Sequence, residues 1–258
     1  MLPVRWVVIF MLAAFGGDCV AYFEEYPPFE TDNPFPVCDL TPVQTDRTED
    51  EPYVFSYIDS EARFYVWNDD SYEWYMRMEN SAGEILVAPF SIGWRCLAGI
   101  GNVYKADLNR DGTADFFLHT WYCGAGLSAL NEAYTFFLSN GNKFDVVAID
   151  VTVSQPEDFI RIPQDNECVL LHLTGASAEA GMTADGKYHN FWVYNLLRFR
   201  GSAIVVDNSV IKGFPRWIWF TESPNRKETR MLSPAQKVRL WDSLDLGNIQ
   251  KLHASPGE

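Results

Sequence analysis

Short runs of aromatic and β-branched residues, broken at intervals by Asn, Asp, Gly and Ser, constrain this chain more than any other feature. Tyr72, Trp74, Met76 and Met78 alternate with Glu73, Tyr75, Arg77 and Glu79. A period of two with one apolar face is the pattern of a half-buried strand. Residues 62–67 form a similar run, and Asn68-Asp69-Asp70-Ser71 between the two predicts a hairpin turn. Ser81-Ala82-Gly83-Glu84 predicts another turn, leading to a strand from Ile85. Residues 134–138 and 144–149 flank Ser139-Asn140-Gly141-Asn142, whose Asn-Gly step suits the positive φ of a tight turn. Residues 168–173 and 217–220 read as further strands, and residues 191–199 and 203–206 as a hairpin about Gly201-Ser202. Near the C-terminus, Ser233-Pro234-Ala235-Gln236 matches a capping box with proline in the first turn, where its missing N–H costs nothing. Val238, Trp241 and Leu244 then share a helical face, and Gly247 can end the helix. The expected fold is mainly β: antiparallel hairpins, propeller-like or sandwich-like, with a short C-terminal helix.

The N-terminus speaks to compartment. Arg5 precedes an unbroken apolar run over residues 6–15, Gly16 and Gly17 interrupt it, and Cys19-Val20-Ala21 offers small residues before a cut. This is the three-part plan of a signal peptide over residues 1–21. The run is too short for a hydrocarbon core that needs ~20 residues. The expected product is secreted or periplasmic, with no membrane span in the mature chain. Residues 22–52, rich in acid and proline, read as a linker, residues 53–252 as a single β-rich domain, and residues 253–258 as a frayed tail. Removing the signal takes Cys19 and leaves Cys38, Cys96, Cys123 and Cys168. An even number in an oxidising compartment implies two disulfides. Cys96 with Cys123 is the favoured pairing, because it closes a loop around the acidic segment described next. The net charge of −15 repels phosphate backbones and anionic lipid, which argues against nucleic acid as a partner, and it favours divalent cations.

The sharpest chemical signal is the segment Ala106-Asp107-Leu108-Asn109-Arg110-Asp111-Gly112-Thr113-Ala114-Asp115-Phe116. Counted from Asp107, side-chain oxygens stand at positions one, three, five and nine. Calcium takes six to eight oxygen ligands, many of them carboxylate, and odd spacing lets a curled loop aim alternate side chains inward. Gly112 permits the bend, Thr113 can contribute its carbonyl, and Leu108 can anchor the loop in the core. Asn, Asp and Gly also build turns held by Asx hydrogen bonds alone. Three crowded carboxylates repel one another without a cation, which favours the ion.

This DxNxDGxxD pattern resembles the calcium loop of FG-GAP and VCBS repeats, which joins two strands in secreted and cell-surface proteins. The resemblance covers the loop, Val103-Tyr104 before it and Phe116-Phe117-Leu118 after it. It implies Asp107, Asn109, Asp111 and Asp115 as side-chain ligands of Ca²⁺, with Thr113 through its carbonyl. An EF-hand fits less well, because Leu118 stands where the bidentate Glu should be.

No catalytic constellation stands out. His119, His172, His189 and His253 form no HExxH pair, and Ser128 and Ser177 lie outside any GxSxG elbow. His119, in an apolar strand, is expected to be a satisfied structural histidine. Glu132, Asp145, Glu157 and Asp158 are available carboxylates with nothing to single out a pair. The expected function is therefore an exported, calcium-binding, non-catalytic module whose partner is an extracellular protein or glycan. The alternative is a secreted hydrolase, acting on polysaccharide, with calcium as a structural ion.

Overall fold

The computed structural model describes residues 35–46, 55–69, 73–93, 97–123, 131–152, 154–178, 189–220, 232–243 and 250–251. The signal-peptide segment 1–21 and the tail 253–258 lie outside them. Among the described residues the fold is mainly β and antiparallel, with a helix near the C-terminus, as the alternation and capping box predict. The described residues fall into two compact units. Of the described residues, the larger holds those within 35–172, 196–212 and 250–251, and the smaller those within 173–178, 189–195, 213–220 and 232–243.

A six-stranded sheet runs through the larger unit in the order β1(Thr41–Pro42), β7(Leu97–Ala106), β8(Asp115–Tyr122), β9(Asn131–Asn140), β10(Lys143–Thr152), β16(Gln250–Lys251). A five-stranded meander joins β2(Gln44–Asp46), β3(Phe55–Ile58), β4(Ala62–Asn68), β5(Trp74–Asn80) and β6(Ile85–Gly93). The third sheet has the order β11(Phe159–Ile162), β12(Glu167–Ala178), β13(His189–Arg200), β14(Ala203–Val206). In the smaller unit, β15(Arg216–Phe220) pairs with the first half of β13.

Within the larger unit the six-stranded sheet is buried on both faces. One core cluster packs Phe117, Tyr134, Phe136, Val147 and Ile149 against Phe159, Leu170, Leu197 and Phe199 of the third sheet. The other packs Phe116, Leu118, Phe137 and Val146 against Phe64, Val66, Met76 and Met78 of the meander. Neighbours in sequence thus serve opposite cores, which is why residues 116–118 read as a continuous apolar run rather than an alternating one. Each such buried aromatic contributes roughly 1.5–3 kcal/mol of transfer free energy. The meander needs only one buried face. Met76 and Met78 are fully buried, whereas Tyr75, Arg77 and Glu79 lie on the half-buried side.

The turns follow local chemistry. Asn140 lies opposite Lys143, so Gly141 and Asn142 are the two central residues of the β9–β10 hairpin. Gly141 has φ +63° and Asn142 has no positive φ, which fits a type II′ turn with glycine first rather than one centred on Asn-Gly. The helix α1(Pro234–Ser243) is closed by the capping box as expected: Gln236 N–H donates to Ser233 Oγ, and Ser233 N–H donates to Gln236 Oε1. Leu240 is buried and Trp241 half-buried, while Val238 of the expected face is exposed. Leu244 and Gly247 lie outside the described residues.

The stretch 22–52 reads as linker, yet residues 35–46 are paired chain. Cys38 N–H donates to the Phe159 carbonyl, Arg161 N–H to the Pro36 carbonyl, and Val43 N–H to the Val103 carbonyl. Prolines hide this pairing from a periodicity reading, because they interrupt the donors that a regular strand would present. A disulfide joins Cys38 to Cys168 at the start of β12. Cys123 is also disulfide-bonded. The favoured pairing of Cys123 with Cys96 falls on Cys96, which lies outside the described residues.

Candidate metal centre

The acidic loop joins β7 to β8, and its closure starts from strand geometry. Ala106 pairs with Asp115, so residues 107–114 must turn the chain through the strand-to-strand gap. Two residues enter the left-handed region to do it, Arg110 at φ +63° and Gly112 at φ +83°. For Arg110 that conformation costs roughly 1–3 kcal/mol, so the surrounding bonds must impose it. They are supplied by the expected ligands themselves. Asp107 Oδ2 accepts from Gly112 N–H at 3.2 Å, Asn109 Oδ1 from Asp111 N–H at 3.0 Å, and Asp111 Oδ1 from Thr113 N–H at 2.7 Å. Leu108 is fully buried in the core beneath the loop, as the anchor role requires.

Asp115 differs from the other three. It is 0% exposed and accepts three backbone N–H groups: Leu108 at 2.7 Å, Asn109 at 3.1 Å and Ser139 at 2.7 Å. Burial pushes its carboxyl above the ordinary range, against the downward pull of those N–H donors. Asp111 lies near the surface, and the Ser139 hydroxyl, 2.6 Å away, leads the bonds that hold its carboxyl below the usual value. The loop is also tied to two hairpins. Asn109 Nδ2 lies 3.0 Å from the Ser139 carbonyl and 3.3 Å from the Gly201 carbonyl in the β13–β14 turn.

The donor set is all oxygen, which suits a hard cation such as calcium. Among the described residues no Lys or Arg pairs with Asp107, Asp111 or Asp115. Among the described residues, too, no group of three or more His, Cys, Asp or Glu side chains is gathered to hold an ion. The carboxylates instead turn onto loop N–H groups. A carboxylate offers about four lone-pair positions, so the single N–H that Asp107 accepts leaves most of its capacity open. Thr113 is placed in the loop with its N–H on Asp111.

Other titratable groups are accounted for by the fold. His119 is 6% exposed, with Nε2 2.7 Å from Glu132 Oε2, and its ring packs between Trp121 and Tyr134. Glu132 is 8% exposed and also accepts Ser154 N–H at 3.1 Å. The pair escapes a reading of sequence because it forms diagonally between two strands: His119 lies opposite Tyr134, two residues along from Glu132. The alternation of β8 with β9 was the signal that places both on one face. Arg198 links Glu167, Asp165 and Asp207 into a second network on the third sheet.

His172 is buried, and its Nε2–H donates to the Asp150 carbonyl at 2.9 Å. Burial holds its pKa below the ordinary 6.5. The unfolded chain therefore takes up a proton near pH 6.5 that the folded chain refuses. The resulting stability is fully present above pH 6.5 and is lost as pH falls below it, at up to about 1.4 kcal/mol per pH unit. Thermal unfolding between pH 7.5 and pH 5 should show a steeper loss for the natural chain than for His172→Asn. Parallel curves would remove His172 as the source.

Among the described residues no helix is long and apolar enough to cross a membrane. No family model matches this chain, and neither a curated protein nor a solved structure does.

Proposed function

We infer that the chain is an exported calcium-binding protein whose loop at residues 107–115 holds one Ca²⁺, with Asp107, Asn109, Asp111 and Asp115 as side-chain ligands and Thr113 through its carbonyl. One observation carries this reading: the expected ligand side chains at positions one, three, five and nine all fold back onto the loop's own backbone, with no basic side chain among the described residues pairing with the three carboxylates. The ion supplies the positive charge that three carboxylates within nine residues lack. Its role is structural: it fastens the β7–β8 connection, and the partner is an extracellular protein or a glycan. The Cys38–Cys168 disulfide and the apolar N-terminal run support export.

Calcium that binds only the folded chain raises its stability by mass action, by about 2.7 kcal/mol when free ion exceeds the dissociation constant a hundredfold. The melting temperature should therefore rise in calcium and fall in chelator, with magnesium a weaker substitute because it demands tighter octahedral geometry. Asp107→Asn should remove most of the calcium-dependent rise. Among the described residues Asp107 bonds to one exposed N–H, so the variant's melting temperature in chelator should barely move. Identical melting curves in calcium and chelator for the natural chain would refute the site.

A further inference from the structure

The Asn-Gly step of the β9–β10 hairpin carries chemistry that the fold does not use. No other asparagine in the sequence is followed by glycine. Asn140 and Gly141 are both exposed at the tip of the turn. Asn140 closes the ladder opposite Lys143, so Gly141 lies past the last strand pair. Among the described residues the Gly141 N–H donates no hydrogen bond. Nothing lies within 4 Å of the place where a Cβ on Gly141 would stand, so the nitrogen is not shielded from that side. A carboxamide carbon and an unbonded backbone N–H thus occupy adjacent exposed residues, where their reaction is intramolecular and closes a five-membered ring. Asn80, at the β5–β6 turn, is the natural comparison. Its Oδ1 accepts the N–H groups of Ala82 at 3.0 Å and Glu84 at 2.9 Å, and its Nδ2 donates to Glu84 Oε2 at 2.7 Å. That carboxamide is held at both ends, and its neighbour Ser81 carries a Cβ. Among the described residues Asn140 is held at one end, by Nδ2 donating to Asp145 Oδ2 at 2.9 Å.

We propose that Asn140 is a site of spontaneous deamidation through a succinimide, a one-way modification built into the β9–β10 turn. The Gly141 nitrogen gives its proton to water and attacks Cγ of Asn140. The new C–N bond forms, the bond from Cγ to Nδ2 breaks, and Nδ2 leaves as ammonia after taking a proton from water. Water then opens the ring at either carbonyl, giving aspartate or isoaspartate. One water is consumed and one ammonia released, with no oxidant or reductant. Either product carries a carboxylate in place of the amide donor, so the contact with Asp145 turns from a hydrogen bond into a repulsion between like charges. Isoaspartate also adds a methylene carbon to the backbone of a two-residue turn, which spoils the match of Asn140 with Lys143.

The test is incubation of the folded natural chain, Asn140→Gln and Gly141→Ala in mildly alkaline buffer, followed by peptide mapping with mass spectrometry. The natural chain should gain the mass of an NH2-to-OH exchange in the peptide that holds Asn140, split between two chromatographic forms. The peptide that holds Asn80 should keep its mass. Asn140→Gln should lose the conversion, because glutamine closes a six-membered ring far more slowly. Gly141→Ala should slow it by placing a methyl group beside the attacking nitrogen. Alanine is strained at the φ of +63° found there, so Asn140→Gln, which keeps glycine in the turn, covers the case in which Gly141→Ala fails to fold. Conversion confined to protein unfolded in urea would show that the folded turn keeps Cγ from the nitrogen, and would overturn the proposal. So would conversion of Asn80 at the rate of Asn140, or a product that is aspartate alone, which direct hydrolysis gives without the ring.

Discussion

Replacing Cys38 and Cys168 together by alanine should lower the unfolding free energy by about 4–5 kcal/mol, the value the chain-entropy account gives for releasing a loop of this length. The bond joins residues 130 apart in sequence, so in the unfolded chain it removes a large share of the available conformations. It also closes on a segment with few other ties. Around Cys38, among the described residues, the two backbone bonds that make the bridge between Val37 and Ile160 and the Arg161–Asp39 ion pair hold residues 36–39 to β11. That ion pair is largely exposed on its Asp39 side and contributes at most about 1 kcal/mol. Domains of ordinary stability hold about 5–15 kcal/mol, so the loss would be a large fraction of the whole. Urea unfolding of the variant beside the natural chain, without reductant, measures it. A difference below about 1 kcal/mol would show that the strand bonds alone suffice.

His119→Phe is the second large effect. It removes the donor closest to Glu132, whose carboxylate is 8% exposed and, among the described residues, then keeps Ser154 N–H. Breaking one partner from a buried ionisable pair costs about 3–5 kcal/mol, because the charge that remains is stranded away from water. Phenylalanine keeps the ring contacts with Trp121 and Tyr134, so packing loss is a minor part. Adding Glu132→Gln should recover most of the loss: the amide carries no charge and still accepts from Ser154. Should the double variant be no more stable than His119→Phe, the stranded-charge explanation would be wrong and the cost would belong to packing.

The two expectations contrast in how far each lay within reach of the sequence. The hairpins of β4 with β5, β9 with β10 and β13 with β14 were readable because alternation and turn chemistry act within a few residues. The Ser233–Gln236 capping box was readable for the same reason, and so was the acidic loop, whose oxygens, bend and anchor lie inside one short segment. The packed face of α1 was not. Val238 is exposed although the apolar spacing placed it on the packed face, and Leu240, outside that spacing, is buried.

What the amino-acid order determined alone is local: where strands run, where the chain turns, how the helix at Pro234–Ser243 begins, and which side-chain oxygens share the loop between β7 and β8. Tertiary structure decided the rest. It put the six-stranded sheet between two cores, drew residues 35–46 into strand pairing, joined Cys38 to Cys168, and set Ser139 beside Asp111 across 28 residues. The physical reason is the same in each case. Periodicity and turn residues fix a strand's faces and ends, but they carry no information about which strand becomes its neighbour. Every contact that depends on strand order, from the disulfide to the His119–Glu132 pair, therefore waits for the chain to close.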